Sequence, residues 1–189
     1  MDGKDGAVSV GLMTAERELI DQLRRFTHFD SKLHGPAHWV RVHRFGLLLA
    51  DGLNLGDRQA RCVEVFAWTH DLARLDDGGG NQHAVDGAVH AFAVMDALFP
   101  DLGSDQRTLL SKAIRFHSDG VTADEAHFQG LLDLDEWTED EVIDTVGACW
   151  DADRLDLLRL GIAPNQRYMS TDCWRDVLPY SRKLHRQRR

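Results

Sequence analysis

Ten histidines stand out in this chain of 189 residues, and their chemistry depends on which of them face inward. Residues three, four or seven positions apart lie on one face of a helix, so a histidine in register with apolar residues points toward the core. His38 is in register with Val42 and Phe45 in this way. The same test selects four more positions: His70, His83, His90 and His117.

Two aspartates fall on inward faces as well. Asp71 directly follows His70, and Asp153 is in register with Val146 and Trp150. A buried carboxylate is costly unless it is paired or bound to a cation. A single inward histidine is more often a hydrogen-bonded core residue, but imidazoles and carboxylates that converge from several helices are typical of a first-row metal site. A site without thiolates favours manganese, iron, cobalt or nickel over structural zinc.

Two of these assignments have a close rival in the sequence. His90 follows His83 by seven residues on the same face, about 10 Å along a helix, so the two rings cannot readily bind one ion. Register alone leaves the choice between them open. Asp151 lies two residues before Asp153, and the apolar register favours Asp153.

The elements that must position these residues are helices. Alternating strand patterns are nearly absent, so the sequence predicts an all-α, single-domain helical bundle. Two capping boxes, Thr122-x-x-Glu125 and Thr138-x-x-Glu141, predict the starts of a short sixth and a long seventh helix. We expect a flexible N-terminus over 1–13, the helical domain over 14–180 and a basic tail over 181–189. The first helix is expected to begin after Thr14. The second to fifth helices are expected to cover about 36–50, 57–75, 82–98 and 104–117.

Composition is that of an ordinary globular protein. The chain is 43% apolar and 28% charged, and no apolar run approaches the roughly 20 residues that span a bilayer. Acidic residues stand near the N-terminus, where a signal peptide needs positive charge. The three cysteines, Cys62, Cys149 and Cys173, form no close pair. We therefore expect a cytoplasmic protein with no membrane partner.

Charge separates the body of the chain from its C-terminal end. The net charge is −9, but five basic residues lie in the last eight positions, and the other 17 basic and 31 acidic residues leave −14. An acidic body repels phosphate backbones, which argues against nucleic acid as a partner. A small ligand held through a cation fits this charge better.

Three motifs, taken in order, resemble a known family. The first candidate ligand lies in HGPAHWVRV (34–42), the His-Asp pair in FAWTHDLAR (66–74) and the last aspartate in ADRLD (152–156). Over about residues 34 to 160, this order resembles the HD superfamily of metal-dependent phosphohydrolases, named for its adjacent His-Asp pair. The resemblance implies an all-α bundle whose primary metal ligands are His38, His70, Asp71 and Asp153.

Two further histidines match the extended pattern of the family's two-metal members. His83 is followed four positions later by Gly87, and His117 ends the run Ile114–His117. The resemblance implies that both complete a second metal site or face the substrate, and it favours His83 over His90 because the family's histidine lies near the start of its helix. The implied catalytic residues are Asp71, His83 and His117, with one or two metal ions.

Departures from the family pattern leave the substrate open. The glycine and tyrosine-proline hallmark of cyclic-dinucleotide phosphodiesterases is missing, and residues 74–77 lack the glutamate of some nucleotidase members. A Gly-rich phosphate loop is also missing, so phosphate would be held by metal and basic side chains. Four basic residues lie near the motifs, although each is interpreted first as a solvated surface residue: Arg41, Arg74, Lys112 and Arg115.

Three functional hypotheses follow from the resemblance. The leading one is hydrolysis of a small phosphate ester or nucleotide by a metal-activated water. The second keeps the fold and makes the protein a two-iron oxygenase that cleaves a carbon bond in a polyol or phosphonate. The third is a metal-dependent ligand binder without catalysis.

Overall fold

A computed structural model describes residues 5–186, with side chains described from Thr14 onward. Within this range the chain is all-helical and contains no strand, which confirms the predicted fold class. Eight α-helices are present in the described range: α1 Asp5–Leu23, α2 Pro36–Gly52, α3 Asp57–Thr69, α4 Gln82–Leu98, α5 Ser104–Phe116, α6 Ala123–Phe128, α7 Glu139–Leu155 and α8 Trp174–Arg186.

Several helix ends differ from the sequence prediction. α1 begins at Asp5 rather than after Thr14, and residues 1–4 lie outside the described residues. α3 ends at Thr69 rather than near Leu75, because the chain turns at His70. α8 continues to Arg186 and thus includes the start of the expected basic tail. The last three residues of the tail, 187–189, lie outside the described range.

α7 is the central helix of the bundle. It contacts α2, α3, α5, α6 and α8. The Trp150 indole is fully buried and donates a 2.9 Å hydrogen bond to the Ala113 carbonyl oxygen of α5. α2 and α3 approach closely at Gly46, where an added Cβ would lie 2.8 Å from Val63 Cγ1. This packing brings the ends of several helices together on one side.

Both predicted capping boxes are present. At the start of α7, the Thr138 hydroxyl accepts a hydrogen bond from the Glu141 backbone N–H, and the Glu141 carboxylate accepts one from the Thr138 N–H at 2.8 Å. Thr122 and Glu125 make the same exchange at the start of α6. None of the helices in the described part of the chain is long and apolar enough to cross a membrane.

Thr138→Ala is expected to lower the free energy of unfolding by about 1 kcal/mol, because it removes the side-chain oxygen that caps α7. Urea unfolding followed by circular dichroism measures this difference. Thr138→Ser keeps the oxygen and serves as the control. Equal stability of the alanine and serine variants would contradict the capping role.

Candidate metal centre

The six candidate residues all lie at helix ends on one side of the bundle. His38 and His83 are in the first turns of α2 and α4, and Asp153 is in the last turn of α7. His70 and Asp71 directly follow the last residue of α3, and His117 follows the last residue of α5. Residues that are up to 115 positions apart in sequence are therefore brought to one place.

The first group of potential ligand atoms lies between α2, α3 and α7. His38 Nε2 is 3.1 Å from His70 Nε2 and 3.3 Å from Asp153 Oδ1. Asp71 Oδ2 is 3.4 Å from the Nε2 atoms of both histidines. Both histidines are buried, whereas Asp153 is half-buried at the edge of a cavity.

The second group lies beside the first and shares Asp71 with it. The other oxygen of this carboxylate, Oδ1, is 3.5 Å from His83 Nε2 and 3.7 Å from His117 Nε2. The two Nε2 atoms are 3.2 Å apart. Asp71 thus presents one oxygen to each group, an arrangement in which a carboxylate can bridge two cations.

The outer nitrogens of three rings are fixed by oxygen atoms. His70 Nδ1 is 3.2 Å from the Phe66 carbonyl oxygen, and His117 Nδ1 is 2.7 Å from that of Ile114. His38 Nδ1 is 2.7 Å from Asp156 Oδ2. Oxygens of this kind only accept hydrogen bonds, so each Nδ1 carries a proton, and in the neutral form of each ring Nε2 has a lone pair directed inward.

These inward lone pairs require a positive charge between them. Two unprotonated Nε2 atoms at 3.1 Å repel each other unless a proton or a metal ion lies between them. Ligand atoms bound at about 2.1 Å to one ion are about 3.0 to 3.4 Å apart for octahedral or tetrahedral angles. The distances in both groups are close to that range, so this buried cluster of histidines and aspartates could hold a metal.

The pKa values of His70 and Asp71 also show that the first group favours positive charge on its imidazoles and negative charge on its carboxylates. Burial alone would lower the pKa of His70, but the Asp71 and Asp153 carboxylates outweigh burial and raise it to about 10. Burial would raise the pKa of Asp71, yet the charge on His70 and hydrogen bonds from neighbouring histidines hold it well below its usual value.

His83 behaves differently from His70. Burial is the largest effect on its imidazole, and together with the nearby His117 and Arg74 it lowers the pKa to about 4, against the opposite effect of Asp71. His83 is therefore neutral at physiological pH, which is the state that a metal ligand or hydrogen-bond acceptor needs.

A buried carboxylate supports His38 from behind. Asp156 is completely buried and accepts hydrogen bonds from His38 Nδ1 and from Arg41 Nε and Nη2, the latter two at 2.6 and 2.9 Å. His185 Nε2 of α8 is 3.1 Å from the same carboxylate. The interpretation of Arg41 as a solvated surface residue is thus wrong, because its guanidinium is buried and neutralises Asp156.

Like Asp156, two further residues at the site were not selected from the sequence. His34 Nδ1 is 2.9 Å from Asp71 Oδ2 and 3.2 Å from Arg159 Nη2. The spacing of His34 and His38, four residues apart around Pro36, is a signal that could have been used. Arg159 has no comparable signal, since its position depends on the 3₁₀ turn that follows α7.

The rival residues are placed elsewhere. His90 Nε2 is 2.7 Å from the Phe26 carbonyl oxygen. The Asp151 carboxylate accepts hydrogen bonds from the Ser170 N–H and from the N–H and hydroxyl of Thr171, at 2.8 to 2.9 Å. His83 and Asp153, the preferred members of each pair, are at the cluster.

A cavity of about 570 Å³ opens onto both groups. Asp71, His83, His117 and Asp153 line it directly, as do the basic residues Arg74, Arg154 and Arg159. Much of the remaining lining is uncharged and includes Leu157, Ile162, Ala163, Asn165, Tyr168 and Met169. A small molecule with an anionic end and a less polar end fits this lining.

A scan against protein-family models and searches among curated proteins and solved structures find no match to the chain.

Asp71→Ala is expected to remove most bound divalent metal, because this carboxylate faces both groups. Metal content after loading with Mn²⁺ and gel filtration, measured by mass spectrometry, tests this. The control is His90→Ala, which removes a half-buried histidine of the same bundle that is bound to a backbone carbonyl. A full metal complement in the Asp71 variant would contradict the assignment.

Asp153→Asn is expected to weaken metal binding by tenfold or more, whereas Asp151→Asn is expected to lower thermal stability and leave metal affinity unchanged. The reason is that Asp153 faces the imidazoles while Asp151 accepts hydrogen bonds from the 170–171 segment. Metal titration by calorimetry, together with thermal melts of the metal-free proteins, separates the two effects. The reverse pattern would show that Asp151 is the ligand.

Proposed function

We propose that this chain is a metal-dependent phosphohydrolase of the HD type that acts on a small phosphate ester or nucleotide. The observation that carries the proposal is the Asp71 carboxylate shared by two groups of imidazoles at the edge of a cavity lined by arginines. The motif order of the sequence supports the same class, since it resembles the HD superfamily from residue 34 to about 160.

The donor set favours a divalent first-row metal, namely manganese, iron, cobalt or nickel, as one or two ions. When bound, such an ion supplies a water of lowered pKa and stabilises negative charge that develops on a phosphoryl group. The residues with roles in the proposed reaction are His38, His70, Asp71 and Asp153 as primary ligands, with His83 and His117 beside them.

The chain's own residues provide the rest of the chemistry. Asp71 can accept a proton from the attacking water or orient it, since one of its oxygens faces each group. The rings of His83 and His117 line the cavity beside the proposed metal ligands, where they can contact a bound substrate. Arg159 lines the same cavity and adds positive charge for an anionic substrate.

A second candidate is the two-iron oxygenase, and one observation favours it. Two adjacent groups that share a carboxylate are what a coupled pair of ions requires. Oxygenation needs a redox-active pair, whereas hydrolysis does not. Oxygen uptake by the iron-loaded protein in the presence of polyols or phosphonates, without phosphate release from esters, would support the oxygenase over the hydrolase.

The metal-loaded protein is expected to release phosphate from one or more members of a panel of sugar phosphates and nucleotides. His83→Ala and His117→Ala are each expected to cut this rate by about 100-fold while the metal of the first group stays bound, because both rings face the cavity beside it. Initial rates of phosphate release, with metal content measured on the same samples, test this.

His127→Ala, which changes a histidine outside the cavity lining, is the control. Wild-type rates in both site variants would return His83 and His117 to a structural role. A metal-loaded protein that binds phosphate esters but turns none over would favour the ligand-binding hypothesis.

A further inference from the structure

The second group already contains a positive charge, the guanidinium of Arg74. Its side chain is only 11% exposed. Nε donates a 2.8 Å hydrogen bond to Asp71 Oδ1, and Nη2 donates one of 3.0 Å to His83 Nε2. Nη1 is held by the Gly78 carbonyl oxygen at 3.2 Å. The interpretation of Arg74 as a solvated surface residue is therefore wrong.

Arg74 occupies the His83 lone pair that a second metal ion would need, and it also contacts Asp71 Oδ1. An unprotonated imidazole nitrogen has one lone pair, so His83 Nε2 cannot accept from Arg74 and coordinate an ion at the same time. Asp71 Oδ1, the oxygen that faces the second group, accepts from the same guanidinium. A divalent ion placed here would also be repelled by a positive charge at hydrogen-bond distance from its own ligands.

The first group differs in this respect. Within the described range, the ion pairs of Asp153 are with the imidazoles of His38 and His70. Their Nε2 atoms face each other at 3.1 Å, and the ring protons that fix them lie on the opposite, Nδ1 side. No guanidinium contacts the described nitrogens of this group, so its positive charge comes from a proton on an imidazole or from a bound cation, whereas in the second group a guanidinium of the chain lies against Asp71 and His83.

We propose that Arg74 is the built-in cation of the second group, so that this chain binds a single divalent ion, at the first group. Arg74, His83 and His117 then serve the substrate: a phosphate oxygen opposite the ion would meet a guanidinium, which binds phosphate oxygens with directed hydrogen bonds. This inference rests on the proposed metal-dependent function and assigns the site to hydrolysis rather than to a two-iron reaction.

The test counts ions in the full-length chain. Metal-free protein is loaded with Mn²⁺ and freed of excess, and manganese per chain is measured by mass spectrometry and by electron paramagnetic resonance. We expect one uncoupled ion in the wild type and two coupled ions in Arg74→Ala. Arg74→Lys, which keeps the charge, is expected to stay at one.

Two further variants locate the effect. Arg159→Ala removes an equal charge from the same cavity but leaves the second group unchanged, so it is expected to bind one ion. Arg74→Ala combined with His83→Ala is expected to return to one ion, because the ligand exposed by the first change is lost in the second. Arg74→Met keeps the length of the side chain and replaces Arg74→Ala if that variant does not fold.

Two ions in the wild type would overturn the inference, as would one ion in both uncharged Arg74 variants. The count is independent of turnover. A chain that binds one ion, gains a second on loss of Arg74 and hydrolyses no phosphate ester would refute the proposed hydrolase while supporting the role of Arg74.

Discussion

The side chain of Asp71 is almost completely buried at the edge of the cavity, and both of its oxygens face imidazole nitrogens. An ionised carboxylate in that position is stable only if positive charge is held around it, and the surrounding helices are arranged to do so. His34, His38 and His70 face one oxygen, and Arg74, His83 and His117 face the other or lie beside it. Each helix that contributes one of these residues must end or begin at the same place.

The parts of this arrangement that were predictable from sequence are local. Helical register depends only on neighbouring residues, so it identified the inward positions of His38, His70 and His117. The capping boxes at Thr122 and Thr138 are local in the same sense. The ligand roles inferred from the family resemblance stay predictions, although the structure brings all six residues together.

What the sequence did not indicate depends on contacts between distant segments. Asp156 supports His38 across 118 positions, and His34 meets Arg159 across 125. The end of α3 was missed for a different reason: Leu72 and Leu75 continue an apolar pattern with no glycine or proline to interrupt it before residue 78. α3 ends at Thr69, before the predicted end near Leu75, because the chain turns there and brings Asp71 to the cluster.

The carboxylate behind His38 gives the C-terminal helix a part in the candidate metal centre. The Asp156 carboxylate accepts a hydrogen bond from His38 Nδ1 and so fixes the orientation of that ring. His185 of α8 contacts the same carboxylate. A chain cut after the 3₁₀ turn at Leu160 would retain all six candidate residues. It would nevertheless open Asp156 to water, where its hold on His38 weakens. The structural support of the candidate site therefore extends to α8, and truncations or C-terminal fusions that disturb this helix would disturb His38 from outside the site.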